Sequence, residues 1–332
     1  MPFLGRFGNR QQQVAGLGLG TELHLNQDTT DVYEPGDAGL HLGNLQEQSS
    51  ARQKYVCGNP ECSSSWSVPW RSRRRPVFES QWGCSGRCLQ SIVRAAVRRE
   101  HGGERRNASA PQPHRHRVPL GLVMLAQGWI TNPQLQQALN QQRTAGTGRI
   151  GDWLVNACGL DTEQVTRGLS VQWGCPVFST DGFDAQAMAL VLPEPAVQEF
   201  GMVPLRAVGN MLYLGCEDRP SPSVAFAAER MSGLKTETGL VESKAFQAAR
   251  EALAAANNIP CEVAAAADLD ALTARVSALL EDRQPLASRL VRMHQYFWLR
   301  LWLESGTRGT AGDLPGTHED MQDYLFTLGG QA

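Results

Sequence analysis

The chain has 332 residues, 42% of them hydrophobic, enough for one medium domain and one or two small ones. Its 31 Lys and Arg nearly balance 33 Asp and Glu, but the net charge of −2 hides an asymmetry: Ala51 to Arg117 holds fourteen basic against four acidic residues, so a basic module is joined to an acidic remainder. The start, Met1-Pro2-Phe3-Leu4-Gly5-Arg6, runs into glutamines, and Val118 to Ile130 is far short of the roughly 20 apolar residues of a membrane span, so neither export nor insertion is indicated and a cytoplasmic place is expected.

Residues 1–50 are rich in Gly, Gln, Asn, Asp and Thr without periodicity and read as a disordered arm. Gly16, Gly18 and Gly20 do not fit a dinucleotide loop. Residues 51–101 carry Cys57 and Cys62, then Cys84 and Cys88 after 21 intervening residues. Two thiolate pairs flanking a loop suit a structural zinc with no open coordination position; unpaired thiols or a redox switch are the alternative. Trp66, Trp70, Phe78 and Trp82 interleave with Arg71, Arg73, Arg74 and Arg75, a pattern that stacks bases and neutralises phosphates, or fills a small core and keeps it soluble. A zinc-dependent nucleic-acid-binding regulator is therefore a second functional reading. After Cys88, Ile92, Val93, Ala96 and Val97 predict a short amphipathic helix with Arg94, Arg98 and Arg99 outside, and residues 102–117 read as a linker.

Leu120 to Gln142 recurs thirty positions later as Ile150 to Gln172. Gly121/Gly151, Met124/Leu154, Leu135/Val165, Leu139/Leu169 and Gln142/Gln172 agree in type, and capping boxes start a helix at Thr131-Asn132-Pro133-Gln134 and at Asp161-Thr162-Glu163-Gln164. Each unit has one apolar stripe and needs a partner for it, so residues 118–175 predict a small bundle in which each copy packs on the other.

Over 176–256 the pattern predicts an α/β sandwich: helices at Glu194 to Phe200, Ser223 to Met231 and Ser243 to Ala256, and strands at Val203 to Val208, Met211 to Cys216 and Leu234 to Leu240, the first two joined by a Gly209-Asn210 hairpin. Residues 257–332 read as helices: Asp268 to Asp282, then Leu286 to Glu304 with Leu286, Leu290, Met293, Phe297 and Leu301 on one side, and a last one at Glu319 to Leu328 beyond the Gly306 to Gly316 loop. The fold class is α+β, a tandem helix-turn-helix bundle followed by an α/β sandwich and preceded by a zinc-ribbon-like module. No catalytic nucleophile, base and orienter, and no telling pair of carboxylates, can be assembled.

Leu120-Gly121, Met124-Leu125, Gly128, Ile130, Leu135, Leu139 and Gln142, then Arg149-Ile150-Gly151, Leu154-Val155, Leu160, Val165, Leu169 and Gln172, resemble the tandem motif in the N-terminal domain of type II secretion and type IV pilus assembly ATPases. Gly174-Cys175-Pro176-Val177, Leu192-Pro193-Glu194, Val203-Pro204-Leu205, Gly209 to Leu214 and Gly239 to Glu242 look like the α/β part that follows. The resemblance covers roughly 118–253. It implies either cyclic di-GMP binding or docking on a membrane platform, with Leu120, Gly121 and Gln142 of the first copy and Arg149, Gly151 and Gln172 of the second as the ligand contacts. Pro119 stands where the first motif has arginine, with Arg117 nearby, and Cys158 where the second has glycine, with Gly159 one place late. The phosphate-binding pattern G-x-x-x-x-G-K-[ST] of the family's motors does not occur in these residues. The resemblance thus implies a non-enzymatic adaptor or regulator, cytoplasmic or peripheral at the inner membrane, with the secretion or pilus machinery and a separate assembly ATPase as partners.

Overall fold

The computed structural model describes residues 57–63, 76–109, 117–303 and 318–329. The predicted arm at 1–50, Trp66, Trp70, the run Arg71 to Arg75 and the loop Gly306 to Gly316 lie outside them. In chain order the helices are α1 (Gly86–Ser109), α2 (Leu120–Ala126), α3 (Asn132–Ala145), α4 (Ile150–Cys158), α5 (Thr162–Trp173), α6 (Ala185–Met188), α7 (Glu194–Phe200), α8 (Pro222–Ser232), α9 (Ser243–Ala254) and α10 (Leu269–Arg283). The strands are β1 (Met202–Val208), β2 (Met211–Cys216), β3 (Lys235–Leu240), β4 (Cys261–Ala266), β5 (Ala287–Met293), β6 (Tyr296–Trp302) and β7 (Met321–Leu328).

Helices α2 to α5 form the repeat bundle. Both expected capping boxes are present: Gln134 Oε1 accepts from the Thr131 amide at 2.9 Å, and Gln164 Oε1 from that of Asp161 at 3.1 Å. As expected, each copy finds its partner in the other, α2 against α5 and α3 against α4. The displaced glycine of the second copy has a local explanation. Cys158 is the last residue of α4, which is longer than α2, and Gly159 takes the left-handed position at φ +70° that Gly128 takes in the first copy.

Behind the bundle, β1 and β2 pair antiparallel across the Gly209-Asn210 turn, and β3 lies parallel to β2. Val177 bridges to Leu240 on the far side of β3, so the chain leaving the bundle is stitched to this sheet. Leu205, Leu212, Leu214, Val224, Leu240 and Phe246 are buried and share one core with the bundle's Met124 and Leu154.

The C-terminal region corrects the sequence reading. Leu286 to Glu304 is not a helix: its described part is the antiparallel hairpin β5-β6, and Glu319 to Leu328 supplies β7 in place of a helix, in a four-stranded sheet of order β4-β7-β6-β5. The stripe that suggested a helix was a coincidence of spacing. Phe297, Leu299 and Leu301 face one side with α1 and α10, whereas Trp298 and Trp302 face the other with the core of the first sheet. A strand buried on both faces shows no alternation, and its apolar run is indistinguishable by period from a buried helix. The hairpin turns at His294, a non-glycine residue at φ +51°, so no Gly or Asn signalled it.

Cys57 to Ser63 and Pro76 to Gln81 do not stand apart from this body. Glu79 donates its amide to the carbonyl of Ser288, Ser288 Oγ donates to the carbonyl of Val77, and Phe78 is fully buried beside Leu280 and Leu290. The predicted short helix after Cys88 runs to Ser109, through the first part of the expected linker. Its Leu89, Ile92, Val93, Ala96 and Val97 are buried against α10 and the sheet, at about 1.5–3 kcal/mol for each large apolar side chain.

Two polar pins join the layers. Asp323 accepts two bonds from Arg300 at 2.8 and 2.7 Å and one from Trp298 Nε1 at 3.0 Å, while Arg300 also donates to the carbonyl of Leu190 beyond the sheet. Glu100 of α1 is almost wholly buried, takes both bonds of Arg230 in α8 and accepts the backbone amide of Arg292 in β5. Among the described residues no helix is long and apolar enough to cross a membrane.

Candidate functional site

The repeat brings four of the six nominated ligand residues to one place. A cavity of about 540 Å³ is bordered by Leu120 from the first copy and by Arg149, Gly151 and Gln172 from the second, with Asn156, Thr162 and Thr166 among its other walls. Glu217, Asp218 and Ser243 of the α/β unit close its far side. Those three stand outside the repeat, and nothing in their local sequence marks them; Glu217 and Asp218 arrive because β2 ends beside Arg149, and Ser243, the first residue of α9, because it bonds Glu217.

Gly121 and Gln142 are not on that wall. A Cβ on Gly121 would lie 2.6 Å from Leu135 Cδ1, so this glycine serves the close approach of α2 to α3. Gly151, although it borders the cavity, holds the same relation to Val165, whose Cγ1 would be 2.9 Å away. Gln142 donates to the carbonyl of Gly148 at 2.9 Å, and Gln172 donates to that of Val118 at the same distance.

Charge in the cavity is mixed. Arg149, the residue preceding α4, lies 3.4 Å from a Glu217 oxygen and 3.9 Å from one of Asp218, and its amide donates to Asp152 at 3.4 Å. Glu217 is itself held by Ser243 Oγ at 2.6 Å and Gln247 Nε2 at 3.3 Å. The guanidinium is thus aimed at carboxylate oxygens, an arrangement a phosphate oxygen can replace. Glu242 at the start of α9 ties the two units together by accepting from Thr162 at 2.8 Å. Burial works against its charge, but the bonds from Thr162 and the Ala245 amide prevail and hold its carboxyl below the ordinary 4.5.

The four cysteines of the basic segment converge. The sulfurs of Cys57, Cys62, Cys84 and Cys88 all lie within 4.8 Å of one another, close to the roughly 3.8 Å edge of a tetrahedron with metal–sulfur bonds of about 2.3 Å. The backbone amide of Cys84 donates to Cys57 Sγ at 3.4 Å, and Asn59 Nδ2 donates to Cys88 Sγ at 3.4 Å. Donors from Asn59 and Ser85 pull the Cys88 thiol down to about 6 against its burial, whereas the bond to Cys62, with burial, pushes that of Cys84 up to about 12. Such a cluster holds one thiolate readily and four only around a cation, so the donor set fits a closed divalent metal site. Cys158, Cys175, Cys216 and Cys261 belong to no such group among the described residues.

Two of the three arginines on the outer face of α1 are engaged by the fold itself. Arg94 lies 3.5 Å from Asp270, and Arg99 pairs with Glu79 at 2.7 Å and with Glu100 at 3.0 Å. His294 stacks on Phe200 and shares a 2.7 Å hydrogen bond with Ser221 Oγ.

No protein-family model matches the chain. The type IV pilus assembly ATPase PilB of Myxococcus xanthus (strain DK1622) is 29% identical over 116 residues, 35% of this chain and 20% of PilB, so the chain spans about a fifth of that relative's length. Among solved structures, MshE with cdg is similar at 26% identity over 41% of this chain and 98% of that one, with a TM-score of 0.32. The N-terminal domain of XpsE is similar at 17% identity over 40% and 92%, with a TM-score of 0.29. Over 116 residues, 35% of its length, the chain is thus similar to a type IV pilus assembly ATPase.

Proposed function

We propose that this chain is a non-catalytic adaptor or regulator of a type II secretion or type IV pilus system, and that the cavity between its repeat bundle and α/β unit takes up cyclic di-GMP. The observation that carries this reading is that Leu120, Arg149, Gly151 and Gln172 line one cavity, of a volume suited to a small ligand. Arg149 would pair with a phosphate through two donors, releasing Glu217 and Asp218; Gln172 would offer an amide edge to a base. Zinc held by Cys57, Cys62, Cys84 and Cys88 would fix the start of α1 and take no part in chemistry. The partner would be a separate assembly ATPase, met in the cytoplasm or at the inner membrane.

Isothermal titration of the full, zinc-replete chain with cyclic di-GMP tests the ligand, with cyclic di-AMP and GTP as controls. Selective, saturable heat that Arg149→Ala abolishes is expected. A flat titration at saturating nucleotide removes the ligand from the proposal, and failure to retain the assembly ATPase in a pull-down removes the adaptor role.

A further inference from the structure

We infer that Arg117 and Arg219, stacked on Trp173, form an anion-receiving rim at the mouth of the cavity, a phosphate site separate from Arg149. The inference rests on the reading of the cavity as a nucleotide site and extends it to residues outside the repeat's motif.

The Arg117 guanidinium carbon lies 3.6 Å from the centroid of the Trp173 ring, and that of Arg219 lies 5.4 Å from the same centroid. Both arginines are exposed, and among the described residues neither has a carboxylate within ion-pair distance, unlike Arg149. Two like charges on one indole repel, so the arrangement gains from an anion bound between them. Beneath them the indole N–H of Trp173 is buried without an acceptor. Chain continuity sets the location: Trp173 follows Gln172, Arg219 follows Asp218 and Arg117 shortly precedes Pro119, and all three of those neighbours line the cavity. A ligand with two separated phosphates, such as a cyclic dinucleotide, would place one at the free guanidiniums and the other at Arg149, where it displaces carboxylates. Arg117 thereby stands in for the arginine that Pro119 lacks, with Arg219 beside it.

The test titrates the full chain, and the exposed-site double variant Arg117→Gln/Arg219→Gln, with cyclic di-GMP and separately with inorganic pyrophosphate, at two salt concentrations. The rim predicts that the double variant weakens cyclic di-GMP at least about tenfold and flattens the salt dependence, with an unchanged melting temperature. Equal binding by wild type and double variant overturns the rim and leaves the cavity reading standing. If wild type ignores cyclic di-GMP, the cavity reading fails for that ligand and pyrophosphate decides the rim: saturable heat lost in the double variant upholds it, and absent or unaltered heat overturns it.

Discussion

Gln172 reaches across the bundle to the carbonyl of Val118, and Gln142, thirty residues earlier, reaches the carbonyl of Gly148, thirty residues after Val118. The last helix of each copy is therefore tied to the entrance of the other, a reciprocal closure that relates the copies by a local pseudo-two-fold. One consequence is that the glutamines nominated as ligand contacts are also structural clasps. Another is that the two halves diverge where they meet their surroundings: Pro119 occupies in one the place that Arg149 occupies in the other.

The two helix-crossing glycines are predicted to differ in tolerance. In Gly121→Ala the new methyl meets the end of a leucine side chain, which has a second torsion with which to move, and the gain in helix propensity offsets the remaining crowding. In Gly151→Ala it meets Val165, β-branched and stiff, and the cost is about 1–3 kcal/mol. Urea unfolding of the two variants checks the order; equal stability would remove the argument.

Removing a carboxylate from Arg149 should favour an anionic ligand. Asp218→Asn deletes the more distant and more exposed of its two partners and is expected to tighten cyclic di-GMP severalfold while leaving the fold stable, since exposed ion pairs contribute at most about 1 kcal/mol. Weaker binding on calorimetric titration would show that Asp218 supports the ligand.

The metal is predicted to stabilise more than its own knuckle. Cys88 lies in the first turn of α1, and α1 covers one face of the C-terminal sheet. Chelation should lower the melting temperature of the whole chain by more than about 5 °C and release one metal ion per chain. A melt insensitive to chelator, or protein purified without metal at native stability, contradicts this.

The buried ion pair between β6 and β7 is expected to contribute strongly to the stability of the C-terminal sheet. Asp323→Ala leaves Arg300 uncompensated in the core and is predicted to cost about 3–5 kcal/mol. Denaturant unfolding measures it, and a loss under about 1 kcal/mol would mean water reaches the site.

Acid should loosen the bundle from the α/β unit. The folded Glu242 carboxyl lies below 4.5, so its stabilising effect is present above 4.5 and is lost as pH falls through the lower folded value. Glu242→Gln is predicted to flatten that acid-side part of the stability profile; an unchanged slope between wild type and variant would assign it to other carboxylates.

The repeat was legible because its signals are local. Capping boxes, four-residue apolar spacing and a thirty-residue echo located the starts of α3 and α5, and the Gly209-Asn210 turn located the β1-β2 hairpin. The C-terminal sheet was not legible, because Trp298 and Leu299 are buried on opposite faces and erase the alternation that distinguishes a strand. The cavity was half legible. Arg149 and Gln172 were implied by the resemblance of the repeat to a known motif, whereas Glu217 and Ser243 reach the site through tertiary packing alone, 68 and 94 positions beyond Arg149 in the chain. Cysteine spacing foretold the four-sulfur cluster but not that its helix is built into the core of a distant segment.

Hydrogen exchange of the full chain with and without cyclic di-GMP tests the central claim most directly, because it locates the ligand as well as detecting it. Protection concentrated at 149–156, 162–172 and 217–218 is the predicted result. Protection elsewhere, or none at saturating nucleotide, contradicts the account.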